Sequence, residues 1–261
     1  MKTEQKWKIG DCLQLLPEIP DKSIDMILTD LPYGTTACSW DIIIPFEPMW
    51  SEYERIIKDD GVIALHSSQP FTSKLISSNP TLFKYCWYWE KERGTGIGLV
   101  NLMPLRTIEE ICIFYKKHGA YHPDKEPLRK KYTHSLPINK GLSGAISGAA
   151  SFKTPERIYA TRTHKSVVNL LHFPRDNGCH GMHPTQKPIA LSEYLIKTYT
   201  NEGDTVHDSC LGSGTTLEAC SNLNRNCIGF ELLHDWKEHY RKRLRLDNLK
   251  LDSFENYNRK E

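Results

Sequence analysis

The chain has 261 residues, 39% of them hydrophobic and 25% charged, with a formal net charge of +2, enough length to bury a substantial core in one large domain or a domain with a compact insertion. No stretch reaches the roughly 18 uninterrupted apolar residues that a membrane helix needs. The start, Met1-Lys2-Thr3-Glu4-Gln5-Lys6, has no apolar signal core, so a soluble, cytoplasmic protein is expected.

Trp7-Lys8-Ile9-Gly10-Asp11 predicts a first strand with an acid at its end. Ile24 to Thr29 is an apolar run that stops at Asp30-Leu31-Pro32-Tyr33-Gly34, where proline and glycine supply a turn; it reads as a buried strand feeding a loop. Pro48 to Lys58 has helical spacing through Met49, Tyr53, Ile56 and Ile57, and the next strand is Val62 to His66. Strand, helix, strand in succession favours a parallel sheet. A helix is expected over Phe71 to Ser77, and strands over the aromatic and β-branched runs Tyr85 to Trp89 and Ile108 to Tyr115.

From Lys116 the periodicity disappears, and Gly141 to Gly148 is rich in small residues, as in an insertion built of loops. Lys116 to Met182 carries 12 Lys and Arg against 4 Asp and Glu, a net +8, which leaves −6 for the remainder of the +2 chain. Such asymmetry points to a polyanionic partner. Regular patterning resumes with a helix over Ile189 to Thr200, a strand Thr205-Val206-His207, a glycine turn and a helix from Thr215 to about Asn222. Cys227 to Glu231 makes another strand, and Asp235 is placed to cap a basic helix running to about Leu249.

The eight cysteines include no C-x-x-C pair and read as reduced thiols. Cys179, His180 and His183 lack a second ligand pair at zinc spacing, so no metal is expected.

Gly212-Ser213-Gly214-Thr215-Thr216 lies between strand and helix, where glycines let a ligand approach the backbone; alone it is weak evidence, since a plain tight turn also fits. It has neither the lysine of a phosphate loop nor a third glycine at dinucleotide spacing. Glu231 ends the next strand, where a carboxylate suits two ribose hydroxyls. Asp30-Leu31-Pro32-Tyr33 is more specific: the Asp30 carboxylate and an extended Leu31 carbonyl offer adjacent acceptors, Pro32 favours that extension, and Tyr33 offers a flat face. Together they suit an amino group on a planar base.

Asp30-Leu31-Pro32-Tyr33-Gly34 resembles the D/N/S-P-P-Y/F/W motif of the DNA amino-methyltransferases. Asp208 to Thr216 is similar to that family's D-P-F-x-G-S-G-T-T cofactor motif, and His183-Pro184-Thr185-Gln186-Lys187-Pro188 resembles the motif closing over the methionine end of the cofactor. With the catalytic motif first and the cofactor motif last, the order resembles the family's β arrangement. Leu31 replaces the usual first proline but keeps its carbonyl, whereas Ser209-Cys210 in place of Pro-Phe removes a phenyl from beside the cofactor adenine.

This resemblance implies an α/β fold: a circularly permuted Rossmann-like methyltransferase sheet with an inserted target-recognition region. Residues 1–115 and 183–261 would form the catalytic domain and 116–182 the basic insertion. It implies S-adenosyl-L-methionine as cofactor, with Asp11 at its adenine, Glu231 at its ribose, and Asp208, Gly212, Ser213, Gly214, Thr215, His183 and Lys187 toward its methionine end, Lys187 pairing with the carboxylate. The partner would be double-stranded DNA held by Lys130, Lys131, Arg157, Arg162 and Lys165, its target base flipped out against Tyr33. An aspartate at the head of the motif leans toward adenine N6; cytosine N4 remains the alternative, and a non-catalytic DNA-binding module is a rival. Methylation at cytosine C5 is disfavoured because no proline precedes a cysteine. Members of the β arrangement often pair, so a homodimer is expected.

Overall fold

The computed structural model describes residues 3–36, 38, 40–124, 127–137, 157–164, 166–174, 186–233 and 236–244. The chain divides into two compact units, one built from Met1–His122 with Asn169–Glu261 and one from Pro123–Val168.

The larger unit is built on an eight-stranded sheet. Its strands are β1 (Gln5–Ile9), β2 (Ile24–Asp30), β3 (Ile57–Ser67), β4 (Phe83–Thr95), β5 (Arg106–Phe114), β8 (Leu170–His172), β9 (Thr205–Asp208) and β10 (Asn226–Glu231). The spatial order is β1-β10-β9-β2-β3-β5-β4-β8. Pairing is parallel from β1 through β3, β5 runs antiparallel to both β3 and β4, and β8 is parallel to β4. The expected parallel sheet is therefore parallel on one side and mixed on the other. C-terminal strands β9 and β10 sit between N-terminal strands β1 and β2, which is the permuted order that the motif sequence implies.

The helices are α1 (Cys12–Leu15), α2 (Phe46–Ile56), α3 (Phe71–Ser78), α4 (Ile189–Tyr199), α5 (Thr215–Asn222) and α6 (Lys237–Arg243). Helix α2 begins two residues before the expected Pro48, which a first helical turn tolerates because its N–H groups have no intrahelical partner. Its buried face of Met49, Trp50, Tyr53 and Ile56 joins Ile24, Ile27, Ile63, Leu65 and Phe114 of the sheet in one core. Strand β3 extends from Ile57 rather than Val62, because Ile57 already pairs with Ile24. Among the described residues, no helix is long and apolar enough to cross a membrane.

The smaller unit corrects one expectation. In place of loops alone it contains an antiparallel ribbon of β6 (Pro127–Pro137) and β7 (Arg157–His164), with Thr133 opposite Thr161 and Ser135 opposite Tyr159. Threonine, tyrosine and isoleucine favour extended backbone, while polar residues on neighbouring positions hide the alternation that would have announced it. The unit is also shorter than the 116–182 segment: Leu170–His172 pairs with Tyr88–Glu90 and so belongs to the large sheet. Gly141 to Gly148, Cys179, His180 and Asp235 lie outside the described residues.

Candidate active site

Strands β2 and β9 pair in parallel, Met26 with Val206 and Ile27 with His207, so their carboxyl ends emerge side by side. One end delivers Asp30; the other delivers Asp208 and the glycine turn into α5. Just beyond, the Ser209 N–H donates to Thr29 Oγ1 at 3.1 Å, tying the two exits together across 180 residues of sequence. Ligands of open α/β sheets bind past such ends. Here a cavity of about 520 Å³ opens there, lined by Asp11, Asp30, Tyr33, Lys187, Gly212 and Glu231 among others.

The glycine turn is held from several sides. Gly212 N–H donates to Glu231 Oε2 at 2.7 Å, and Leu233 N–H donates to Oε1 at 2.9 Å. Gly214 has φ of +79°, and a Cβ there would lie 2.8 Å from Tyr240 Cδ1, so both backbone and space demand glycine. The Tyr240 hydroxyl donates to Gly212 O at 2.8 Å. Ser213 Oγ and Thr215 Oγ1 lie 3.2 Å apart, and Thr215 Oγ1 donates to the Lys187 carbonyl at 3.4 Å. Asp11 caps α1, accepting from Leu13 N–H at 2.9 Å.

Asp208 is buried and accepts from Cys210 N–H at 3.0 Å. Burial pushes its carboxyl up to about 7 against hydrogen bonds from Thr216 and Cys210, and the charges of Asp30 and Glu231 push the same way. Beneath the turn, His207 Nδ1 lies 2.9 Å from the Ile228 carbonyl, which only accepts, so that nitrogen carries the proton. Nε2 must then accept from Ser209 Oγ at 2.9 Å, and Ser209 accepts from the Tyr53 hydroxyl at 2.8 Å. Burial holds this imidazole down at about 4, so it is neutral at working pH.

At the other wall, the Tyr33 hydroxyl donates to Asp30 Oδ1 at 2.7 Å, and Lys187 Nζ lies 3.0 Å from Oδ2. Lys187 also lies 3.0 Å from Glu109 Oε2, 3.5 Å from the Tyr33 hydroxyl and 5.6 Å from that ring's centre. Burial works against the Lys187 charge, but Asp30 and Glu109 outweigh it and raise its pKa. Burial likewise works against the Glu109 charge, yet Lys187 and Lys91 hold its carboxyl at about 2. Burial, with Asp30 adding to it, raises the Tyr33 phenol well above its ordinary value, so it stays a donor. Its ring stacks on Phe71, with centroids 5.2 Å apart and planes at 28°. The loop that follows is gathered by the buried Asp41 carboxylate, which accepts from the N–H groups of Gly34, Thr35 and Thr36 and from the Thr36 hydroxyl at 2.7–2.9 Å.

A family model described as DNA methylase matches residues 24–242, most of the chain. The chain belongs to the N6/N4 DNA methylase family. Among its curated relatives, the type II methyltransferase M.HpaI of Haemophilus parainfluenzae is 27% identical over 256 residues, covering 92% of this chain and 74% of the relative. The type II methyltransferase M1.MboII of Moraxella bovis is 24% identical, with 85% and 89% covered. Among solved structures, the M1.HpyAVI complex with SAM has a TM-score of 0.61 at 21% identity, with 94% of this chain and 100% of that one covered. The PvuII DNA methyltransferase, described as cytosine-N4-specific, has a TM-score of 0.64 at 17% identity, with 97% and 89% covered. At these identities the structural likeness speaks to the fold alone.

In this DNA methylase, Asp11, Asp30, Leu31, Pro32, Tyr33, Lys187, Gly212 and Glu231 line the main cavity. Asp208, Ser213 and Thr215 line a smaller one of about 60 Å³, to which Asp30, Lys187 and Gly212 also contribute. Leu31 itself is a buried core residue. His183 and Lys165 lie outside the described residues; Lys130 and Lys131 fall in β6, and Arg157 and Arg162 in β7. The Lys187 ammonium faces Asp30, Glu109 and Tyr33. Sequence reading missed Glu109, Lys91 and His66, the last of which lines the smaller cavity. The first two carried a readable signal: β4 buries Trp87, Trp89 and Lys91 at every second position, and in β5 Glu109 shares the face of the buried Ile111 and Ile113.

Proposed function

We propose that this chain transfers a methyl group from S-adenosyl-L-methionine to the N6 amine of adenine in double-stranded DNA. The observation that carries the reading is that Asp30 and the glycine turn, leaving adjacent parallel strands, line the same cavity.

The cleft fits that cofactor. A volume of about 520 Å³ is ordinary for a nucleoside-sized ligand, and the acidic groups Asp11, Asp30 and Glu231 in its wall suit a cationic one. Glu231 would hold the ribose, since each of its oxygens accepts one backbone N–H and has a further lone pair. Asp11 would face the adenine, and Asp208, Ser213, Thr215 and His183 the methionine end. When bound, S-adenosylmethionine supplies an electrophilic methyl group on a sulfonium.

The lone pair of an adenine amine is delocalised into its ring. The Asp30 carboxylate and the Leu31 carbonyl would accept the two N–H bonds, draw them off the ring plane and aim the lone pair at the methyl carbon, with Asp30 taking up the proton released as the new C–N bond forms and the S–CH3 bond breaks, its electron pair returning to sulfur to leave a neutral thioether. The gain comes from positioning and electrostatics. Reaching the site requires flipping the base from the duplex, with Tyr33 as its platform. The basic residues Lys130, Lys131, Arg157 and Arg162 of the smaller unit's ribbon, together with Lys165, would hold phosphates, and that unit would recognise the target.

Nucleoside analysis of duplex DNA incubated with the chain and S-adenosylmethionine tests this: N6-methyladenine is expected. N4-methylcytosine in its place would move the target to cytosine, whose amine the same acceptors could hold. DNA binding without any methyl transfer would leave only a binding module.

A further inference from the structure

Four charged side chains run inward from the cleft without a break. Asp30 Oδ2 lies 3.0 Å from Lys187 Nζ, Lys187 Nζ lies 3.0 Å from Glu109 Oε2, and Glu109 Oε1 accepts from Lys91 Nζ at 2.9 Å. Asp30 is the most exposed of the four side chains, at 33%, and Lys91 the least, at 2%. Burying ions costs desolvation that their attraction rarely repays, and apolar side chains of similar volume would serve stability as well. The row therefore calls for a reason other than stability.

We propose that Glu109 is a positioning residue for methyl transfer, acting through Lys187 on Asp30; the inference rests on the proposed function of the cleft. A lysine ammonium has three donors. Here they face Asp30 Oδ2, Glu109 Oε2 and the Tyr33 hydroxyl. Asp30 Oδ1 takes the Tyr33 proton and Oδ2 takes Lys187, so each oxygen keeps one lone pair for an amine N–H. Glu109 maintains that division by drawing Lys187 away from closer engagement with Asp30.

The Glu109–Lys187 contact is an ion pair at 3.0 Å, and its charge is what a glutamine amide lacks. Lys91, buried on β4 and bonded to the other oxygen of Glu109, anchors that carboxylate from behind. With the Glu109 charge removed, the full charge of Lys187 falls on Asp30, and its donors compete with those of the amine.

Steady-state kinetics of the full chain on duplex DNA with S-adenosylmethionine test this through the split between kcat and KM. Glu109→Gln should lower kcat by about tenfold or more while KM for the cofactor stays within about twofold. Added to Lys187→Met, Glu109→Gln should cause no further loss, because Glu109 acts only through Lys187. Unchanged kcat, a loss that lies wholly in cofactor KM, or losses that multiply in the double variant would each overturn the inference. Should Glu109→Gln not fold, Glu109→Asp decides: withdrawing the charge by one methylene lowers kcat at constant KM if the inference holds, and leaves kcat at the wild-type value if it does not. A wild-type chain that transfers no methyl group overturns the proposed function, and this inference with it, whereas an active wild type with an indifferent Glu109 overturns the inference alone.

Discussion

Tyr33 donates its hydroxyl proton to Asp30 Oδ1 at 2.7 Å while its ring lies on Phe71. The aromatic platform and the carboxylate of one short motif are thus oriented as a unit. Asp30→Ala should retain cofactor binding and lower kcat by on the order of 10²–10⁴, the usual weight of a group that handles the reacting proton. Tyr33→Phe keeps the ring and removes only the orienting bond, so its loss should be the smaller of the two. Calorimetric titration with S-adenosylmethionine and single-turnover methyl transfer measure the two effects separately. An active Asp30→Ala variant would remove that residue from its role.

Asp208 predicts a pH dependence of cofactor binding. Its carboxyl is raised from 3.8 to about 7, so near neutrality a large share is protonated and unable to pair with a cation. Affinity for S-adenosylmethionine should therefore rise as pH increases through about 7, with proton release on binding. Titrations in buffers of different ionisation enthalpy count that proton, and Asp208→Asn should abolish both the release and the pH dependence.

The same group predicts a trade of stability against function. The folded state holds the Asp208 proton more tightly than the unfolded chain does, so the ionised form costs stability. That cost is complete above about 7 and disappears as pH falls toward 3.8. Asp208→Asn should therefore be the more stable protein at pH 8, by up to about 4 kcal/mol at 1.36 kcal/mol per pH unit. Thermal melts across pH check this, since the gap should narrow on acidification. A gap that widened would reverse the sign assigned to this group.

Gly214→Ala should lose on the order of 1–3 kcal/mol, the usual cost of a side chain in the left-handed region. The added methyl also meets the Tyr240 ring, whose hydroxyl holds the Gly212 carbonyl, so the turn shifts and cofactor affinity should fall with stability. Chemical denaturation and cofactor titration report the two losses. Wild-type values in both would show that the turn accommodates a side chain.

DNA affinity should fall steeply with added salt, because each phosphate neutralised releases counterions. Replacing Arg157 or Arg162 should weaken binding across sequences and reduce the salt slope by about 1 for each phosphate left without its cation. Fluorescence anisotropy over a range of salt concentrations measures this, and a slope unaffected by either change would take that residue off the DNA.

Much of the larger unit was legible in the chain because its signals are local. The buried run Ile24 to Leu28, the turn at Pro32 and Gly34, and the glycines before Thr215 announce strand, loop and helix by neighbour-to-neighbour chemistry. The order of the motifs carried the permuted topology. The ribbon β6–β7 was not legible, since charged and polar residues interrupt its apolar ones along the sequence, and Leu170–His172 is too short to show a period.

The sequence by itself determined which groups are available: an acid before an extended backbone, an aromatic face, a glycine turn and an acid one strand later. Only the tertiary structure decided what those groups touch. Lys91 and Glu109 occupy inward positions among Trp87, Trp89, Ile111 and Ile113, and their alternation marks a buried face without saying what lies across it. Lys187 reaches Asp30 and Glu109 only because β2, β5 and the segment before α4 converge at one end of the sheet. Spacing along a chain sets the period of an element, whereas contact between elements depends on packing among residues far apart in sequence, and that packing placed Asp30 beside its ammonium.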